Sequence, residues 1–419
     1  MQKVLPSQRM FKQFEEQILL GNLGLSEIVR CGAQMMLQHA VELEMATFLK
    51  RGYYENAPHT TRARGRRNGY EKHTVLTGEG PIEVRVPQAR NLPPNAPRFH
   101  SNILQAYATR TETLDELISR MYVTGMSTRD VETVFIDVLA GRGVSRNTVS
   151  KITARLTEDL EAFRRRPLSA ESVLYLFLDG TYLRFHLESE RKEPVLVAYG
   201  IREDGRKVLL HIGPGHRESY DNWKTFLQEM TARGLRTPLM VVTDGNPGLV
   251  RAVEEIFPES LRQRCQRHRM NNILGKAPKE AWETLKKEIH QSFTARSYQE
   301  GLRAGRALIS RWRSRFPAAM ACLEEDLEAC LQCLKLPPEH RKRVRTTNVL
   351  ERLFGESRRR LKVIPHFFTE TAGMKLVYAT LLAASRRWRG VSINTIIDRD
   401  LDKLWVAVFG KTRDRPRAA

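Results

Sequence analysis

The sequence predicts a mixed α/β domain that is preceded and interrupted by helical segments. Three observations carry that reading. Residues 173–214 hold four apolar, strand-like runs in succession: "VLYLFLD", "TYLRFHL", "PVLVAYGI" and "RKVLLHIG". A helix, a strand and a second helix follow, in "SYDNWKTFLQEMTARG", "PLMVVTD" and "PGLVRAVEEIF". Successive strands and then alternating helix and strand describe a mixed sheet covered by helices. On either side, residues 1–50, 111–165 and 270–345 repeat apolar residues at three- and four-residue steps, the helical period.

Taken in order, residues 1–50 are helical, with Ser26 as a candidate N-cap for "SEIVRCGAQMMLQHAVELEMATFLK". "HTVLT" and "IEVRVP" then flank the turn "GEGP" and predict a short β-hairpin. Just before it, "RARGRR" (62–67) holds four arginines and no acid. The whole chain carries 69 Lys and Arg against 48 Asp and Glu, a net charge of +21. An excess of that size points to a polyanionic partner, of which nucleic acid is the usual one. Arg64, Arg66 and Arg67 are therefore candidates for phosphate contact, against the plainer reading of a solvated charge run. Residues 111–165 contain two amphipathic segments around "AGRGVS". Ser127 or Thr128 can cap the first and Ser145 the second, and Gly141 and Gly143 permit the tight turn. This is helix-turn-helix spacing, also compatible with an ordinary helical hairpin. The second helix would present Arg146, Asn147, Ser150 and Lys151 to DNA. Residues 1–110 are thus assigned to DNA binding or oligomerisation, and 111–165 to the helix-turn-helix.

A linker, "RRRPLSAES" (164–172), leads into the sheet. There the chain twice sets Asp-Gly where an apolar run stops, at Asp179 and, 65 residues on (244 − 179), at Asp244. One Asp-Gly is most simply a turn. Two at the edge where open α/β sheets hold ligands suggest a shared site. Two converging carboxylates repel unless a cation lies between them, and oxygen ligands favour Mg²⁺ or Mn²⁺. A third carboxylate should come from "VRTTNVLERLFGESRRRLKVI", where Thr347 or Asn348 can cap a helix bearing Glu351 and Glu356. Periodicity does not choose between those two. Residues 341–362 carry nine Lys or Arg against two Glu, with Arg358, Arg359 and Arg360 as candidate DNA contacts. "CQRH" offers Cys265 and His268, two potential ligands where a structural zinc site wants four. A buried pair positioning strand and helix beside the site is the preferred reading. His268 is a further candidate for phosphate contact. Cys330 and Cys333 sit in a helical pattern and read as core. Trp223 reads first as core packing, with stacking on DNA as the lesser alternative.

"FLDGTY", "VVTDGNPGL", "QRCQRHRMNNIL" and "TTNVLERLFGESRRR" occur in this order. Together they closely resemble the Mutator-type transposases of bacterial insertion sequences. The resemblance extends to "RNGYEKHTV", "IEVRVPQAR", "GMSTRDVE", "GVSRNTVSKIT" and "NWKTFLQEMTARGL", and so covers most of the chain. It implies a ribonuclease-H-like catalytic domain in two parts, 172–269 and 346–419, separated by a helical insertion at 270–345. It also implies an Asp-Asp-Glu triad, here Asp179, Asp244 and Glu351, because the family's glutamate follows "TTN" by two residues. Many relatives carry Asn three residues after that glutamate, where this chain has Phe354. Two Mg²⁺ or Mn²⁺ ions would be held by the triad, with cleavage at terminal inverted repeats followed by strand transfer. Joining two ends implies a homodimer or larger assembly. One rival is a helix-turn-helix regulator with an inactive ribonuclease-H-like domain, and another is a simple nuclease. No apolar run approaches the ~20 residues of a membrane helix. The first twenty residues lack a signal peptide's apolar core. Five cysteines imply no disulfide framework, so reducing bacterial cytoplasm, in association with the nucleoid, is the expected compartment.

Overall fold

The structure is a computed structural model that describes residues 4–21, 23–55, 65–93, 95–104, 109–124, 126, 128–138, 144–183, 193–215, 219–348, 350, 354–355, 370–385 and 388–413. The chain packs as two units, Met1–Ala154 and Arg155–Ala419.

In the first unit, helices α1 (Pro6–Leu19) and α2 (Leu25–Leu49) precede an antiparallel hairpin, β1 (Arg66–Thr77) and β2 (Gly80–Arg90). The N-cap of α2 is Gly24, not Ser26, because Glu27 reaches back to accept the Gly24 N–H at 2.9 Å. The hairpin is longer than its apolar cores suggest, and pairing runs from Thr77↔Gly80 out to Arg66↔Arg90. Helix α2 lies along β2. Val41 packs with Val75, Ile82 and Val84, and the buried Gln38 amide bonds both ways with the Arg85 backbone, at 2.9 and 2.7 Å. Helices α3 (Glu112–Val123) and α4 (Thr128–Val138) follow, and α5 (Arg146–Arg165) begins here and ends in the second unit. Ser145 caps α5, its Oγ accepting the Thr148 N–H at 3.2 Å, as its sequence position predicts. Ser127, Gly141 and Gly143 lie outside the described residues.

The second unit is built on five strands: β3 (Val173–Leu183), β4 (Glu193–Arg202), β5 (Lys207–Pro214), β6 (Met240–Thr243) and β7 (Leu261–Arg264). Their order is β5-β4-β3-β6-β7, antiparallel across the first three and parallel from β3 onward. One expectation is corrected here, and one strand is added to those the sequence suggests. The runs "VLYLFLD" and "TYLRFHL" do not form two strands. β3 continues through Asp179–Gly180 because β4 keeps pairing with it, Asp179 opposite Val197 and Leu183 opposite Glu193. And "RQR", too short and polar to signal a strand, forms β7 by parallel pairing with β6.

One sheet face packs on α6 (Tyr220–Ala232) and α7 (Pro247–Ile256), which meet Leu176, Leu178, Ala198 and Val241 through Trp223, Phe226, Leu249 and Val253. The other face carries Tyr175, Phe177, Val197, Tyr199, Met240 and Val242. It is covered by Leu350 and Phe354 and by the last helices, α13 (Glu370–Ser385) and α14 (Thr395–Phe409). Between β7 and that cover the chain is helical, as its pattern predicts: α8 (Gln266–Leu274), α9 (Trp282–Phe293), α10 (Tyr298–Trp312), α11 (Pro317–Leu331) and α12 (Pro338–Val344). This insertion has its own core, including Ile289, Phe293, Leu308, Leu323 and Leu327.

Candidate active site

Side chains two apart on a strand share a face. Phe177 and Val242 are partners in the parallel β3–β6 ladder and belong to one core. Two residues beyond each comes a carboxylate, Asp179 and Asp244. The parallel ladder ends at Phe177↔Val242, so both acids lie just past its end while β3 itself runs on beside β4. Asp179 is buried, at 4% exposure, and its Oδ1 accepts the Gly180 N–H at 3.0 Å. Asp244 is half-buried and opens a tight turn, its Oδ1 accepting the Asn246 N–H at 3.0 Å. Asn246 in turn caps α7 through Gly248 and Leu249. Beside Asp179 stands Tyr199, fully buried and stacked on Phe177 at 4.3 Å. Burial and then the charge of Asp179 hold its phenol un-ionised, well above the ordinary value.

Glu351 lies outside the described residues, as do Glu356, Arg64, Arg358, Arg359 and Arg360. Its neighbours Leu350 and Phe354 are buried in the same core as Phe177 and Val242. Phe354, the departure from the family pattern, is thus a packing residue on this face, 2% exposed.

The segment leading into Leu350 is held by the start of α8. The Gln266 N–H donates to the Arg345 carbonyl at 3.0 Å. The N–H and hydroxyl of Thr347 point at the Cys265 sulfur at 3.5 and 3.6 Å. Arg267 donates to the Asn348 side chain at 2.9 Å. The Cys265 N–H also donates to the Thr243 carbonyl at the end of β6, at 2.8 Å. Cys265 therefore ties the residue before Asp244 to one four positions before Glu351. Burial pushes its thiol up, but hydrogen bonding to His268, the charge of that imidazole and the backbone N–H groups of His268 and Thr347 outweigh it, so the net shift is downward. The sequence marked Cys265 and His268 as a positioning pair and Thr347 or Asn348 as a helix cap. That the two motifs are each other's partners carries no local signal, since 82 residues separate Cys265 from Thr347. Among the described residues no three His, Cys, Asp or Glu side chains gather to hold a metal.

Trp223 is 1% exposed and meets Phe226 edge-on at 5.6 Å, which removes it from DNA stacking and leaves core packing. Cys330 and Cys333 are likewise buried, free and part of the insertion core. In the first unit, Arg66 is exposed, whereas Arg67 donates to the Gly52 and Arg51 carbonyls, both at 3.0 Å. Arg67 serves the fold there, its pKa lowered by burial and then by Arg51. Arg146, Asn147, Ser150 and Lys151 are all exposed on one side of α5, with Arg146 paired to Glu132 at 2.9 Å.

Residues 7–390 match the family described as "Transposase, Mutator family". The chain belongs to that family. Among its relatives, the transposase of insertion sequence element ISRM5 from Rhizobium meliloti (strain 1021) is 33% identical over 92% of this chain and 93% of its own length. That of IS6120 from Mycolicibacterium smegmatis is 34% identical over 67% of this chain and 86% of its own. That of IS256 in transposon Tn4001 from Staphylococcus aureus is 28% identical over 83% and 87%. This Mutator-family chain has, among its described residues, no helix long and apolar enough to cross a membrane.

Proposed function

We propose that the protein is an insertion-sequence transposase that binds the terminal inverted repeats and performs metal-dependent DNA cleavage and strand transfer with Asp179, Asp244 and Glu351. The observation that carries this is the matched position of two carboxylates, each two residues past the Phe177↔Val242 end of the β3–β6 ladder, whose core face is covered by Leu350 and Phe354. The strand order and directions support a ribonuclease-H-like reading of the domain. Helices α4 and α5 support the helix-turn-helix reading, with Asn147, Ser150 and Lys151 facing DNA.

The donor set fits a hard divalent cation, because both described acids offer only oxygen. Asp179, Asp244 and Glu351 would hold Mg²⁺ or Mn²⁺, which when bound activates the attacking oxygen and stabilises the leaving one in an in-line displacement at phosphorus. The chain's own residues set up that chemistry. β4 holds Asp179 rigid from one side, and the Asn246 turn holds Asp244. The Cys265–Thr347 and Arg267–Asn348 contacts orient the segment that brings in Glu351. Buried Phe177, Tyr199 and Phe354 keep water from the base of the site. Water attacks first and frees a 3′-hydroxyl, which then attacks a second phosphate. Two ends must be joined, so the working form is a homodimer or larger assembly.

Incubation with a cloned transposon end and Mn²⁺, with product ends mapped, tests the proposal. Asp179→Asn, Asp244→Asn and Glu351→Gln should each abolish cleavage and spare end binding, while Glu356→Gln stays active. Normal cleavage by any of the first three removes that residue from the triad. Nicking without strand transfer of a pre-cut end would leave a nuclease.

A further inference from the structure

The turn after Asp244 rests on a buried arginine that the chemistry above does not use. Arg264 ends β7, in register with Thr243, and its side chain is 5% exposed. Gly245 has φ +85°, and a Cβ placed on it would fall 1.0 Å from Arg264 Nη1 and 1.8 Å from Cζ. The guanidinium thus fills the space where any other side chain at 245 would go. Its Nη1 has no hydrogen-bond partner among the described residues, an arrangement costly for packing alone. Its charge is met by Asp326, 3.2 Å from Nε, on helix α11 of the insertion. Asp326 also lies 3.3 Å from Arg269 and 3.9 Å from Arg262.

We propose that Arg264 is a positioning residue that couples the helical insertion to the metal site: Asp326 holds the guanidinium, the guanidinium holds Gly245, and Gly245 fixes the carboxylate of Asp244. The insertion then governs how well Asp244 binds a divalent ion without contributing a ligand. The planar guanidinium both fills this space and reaches Asp326, which a compact ammonium does not reproduce. This rests on the metal-binding reading of Asp244.

The test is Mn²⁺ binding to the full chain, followed by the electron paramagnetic resonance of free Mn²⁺, beside end-DNA binding and thermal melting. Wild type should bind Mn²⁺ and Asp244→Asn should lose it. Should wild type fail to bind, or Asp244→Asn bind as wild type does, the metal reading itself falls and takes the coupling with it. Given that control, Arg264→Met and Asp326→Asn should each weaken Mn²⁺ binding about tenfold with end binding unchanged. Arg264→Lys should fall between Arg264→Met and wild type. Asp326→Asn should add little in the Arg264→Met background, because both act through one contact. Asp326 is more exposed than Arg264, 18% against 5%, and Asn keeps its shape, so this variant tests the idea even where Arg264→Met misfolds. Mn²⁺ affinity within twofold of wild type in folded Asp326→Asn overturns the proposal, as do fully additive losses in the double variant.

Discussion

Asp179–Gly180 and Asp244–Gly245 are the same dipeptide in two different backbones. At the first, an antiparallel partner carries the strand straight through, and the aspartate is fixed by the ladder on the β4 side. At the second, the strand stops, the glycine turns left-handed, and the aspartate is fixed by Asn246 ahead and Arg264 behind. One acid is held by sheet pairing and the other by a turn with an arginine under it. The two anchors fail in different ways, so the sites can be told apart by mutation.

The largest difference should come from the glycines. Gly245→Ala must adopt a left-handed φ and displace a buried, ion-paired guanidinium, and should cost at least about 3 kcal/mol. Gly180→Ala, in extended backbone without positive φ, should change stability by under about 1 kcal/mol. Denaturant midpoints of the two variants compare them directly, and equal losses would erase the distinction. The caps come next. Asn246→Ala should cost about 1 kcal/mol and weaken cleavage, since it loosens only the Asp244 side. An intact cleavage rate would mean that the turn holds without its cap.

A second pair of identical neighbours, Arg66 and Arg67, extends the comparison at smaller scale. Arg67→Ala should destabilise the first unit by about 1–2 kcal/mol, because two backbone carbonyls lose their donor. Arg66→Ala should leave stability unchanged, weaken specific and random DNA alike, and lower the salt slope of binding by about one. The smallest effect is that of Lys151→Ala, expected to cost preference for the end sequence and little else. Titrations on both DNAs across salt resolve these outcomes, and an unchanged slope in Arg66→Ala would return it to the solvated surface.

Much of this was legible because apolar periodicity is local. The strands around Phe177, Tyr199 and Val242, the helices of the insertion and the Ser145 cap follow from it. β7 was not legible, since "LRQR" is a strand only by virtue of lying beside β6. Nor was the continuity of β3, because Asp-Gly is a stop signal until a partner strand overrides it. The two acids stood out in the sequence, whereas Arg264 did not. Its partner Asp326 is 62 residues away (326 − 264), and nothing near either residue announces the other. Arg67 shows the converse failure, a residue that looks free to bind phosphate and is tied to the chain.

The grip of Cys265, Gln266 and Arg267 on residues 345–348 also bears on when the protein becomes competent during its synthesis. The proposed third carboxylate emerges 107 residues after Asp244 (351 − 244). At about 5–20 residues per second that is a delay of about 5–20 seconds. Throughout it, a growing chain carries both aspartates and the residues of the first unit and still lacks its proposed third acid and the helices that cover the sheet. A ribosome-bound chain that stops short of this segment should therefore show no cleavage, and the docking of Thr347 onto Cys265 is one of the contacts that must form before the first cut.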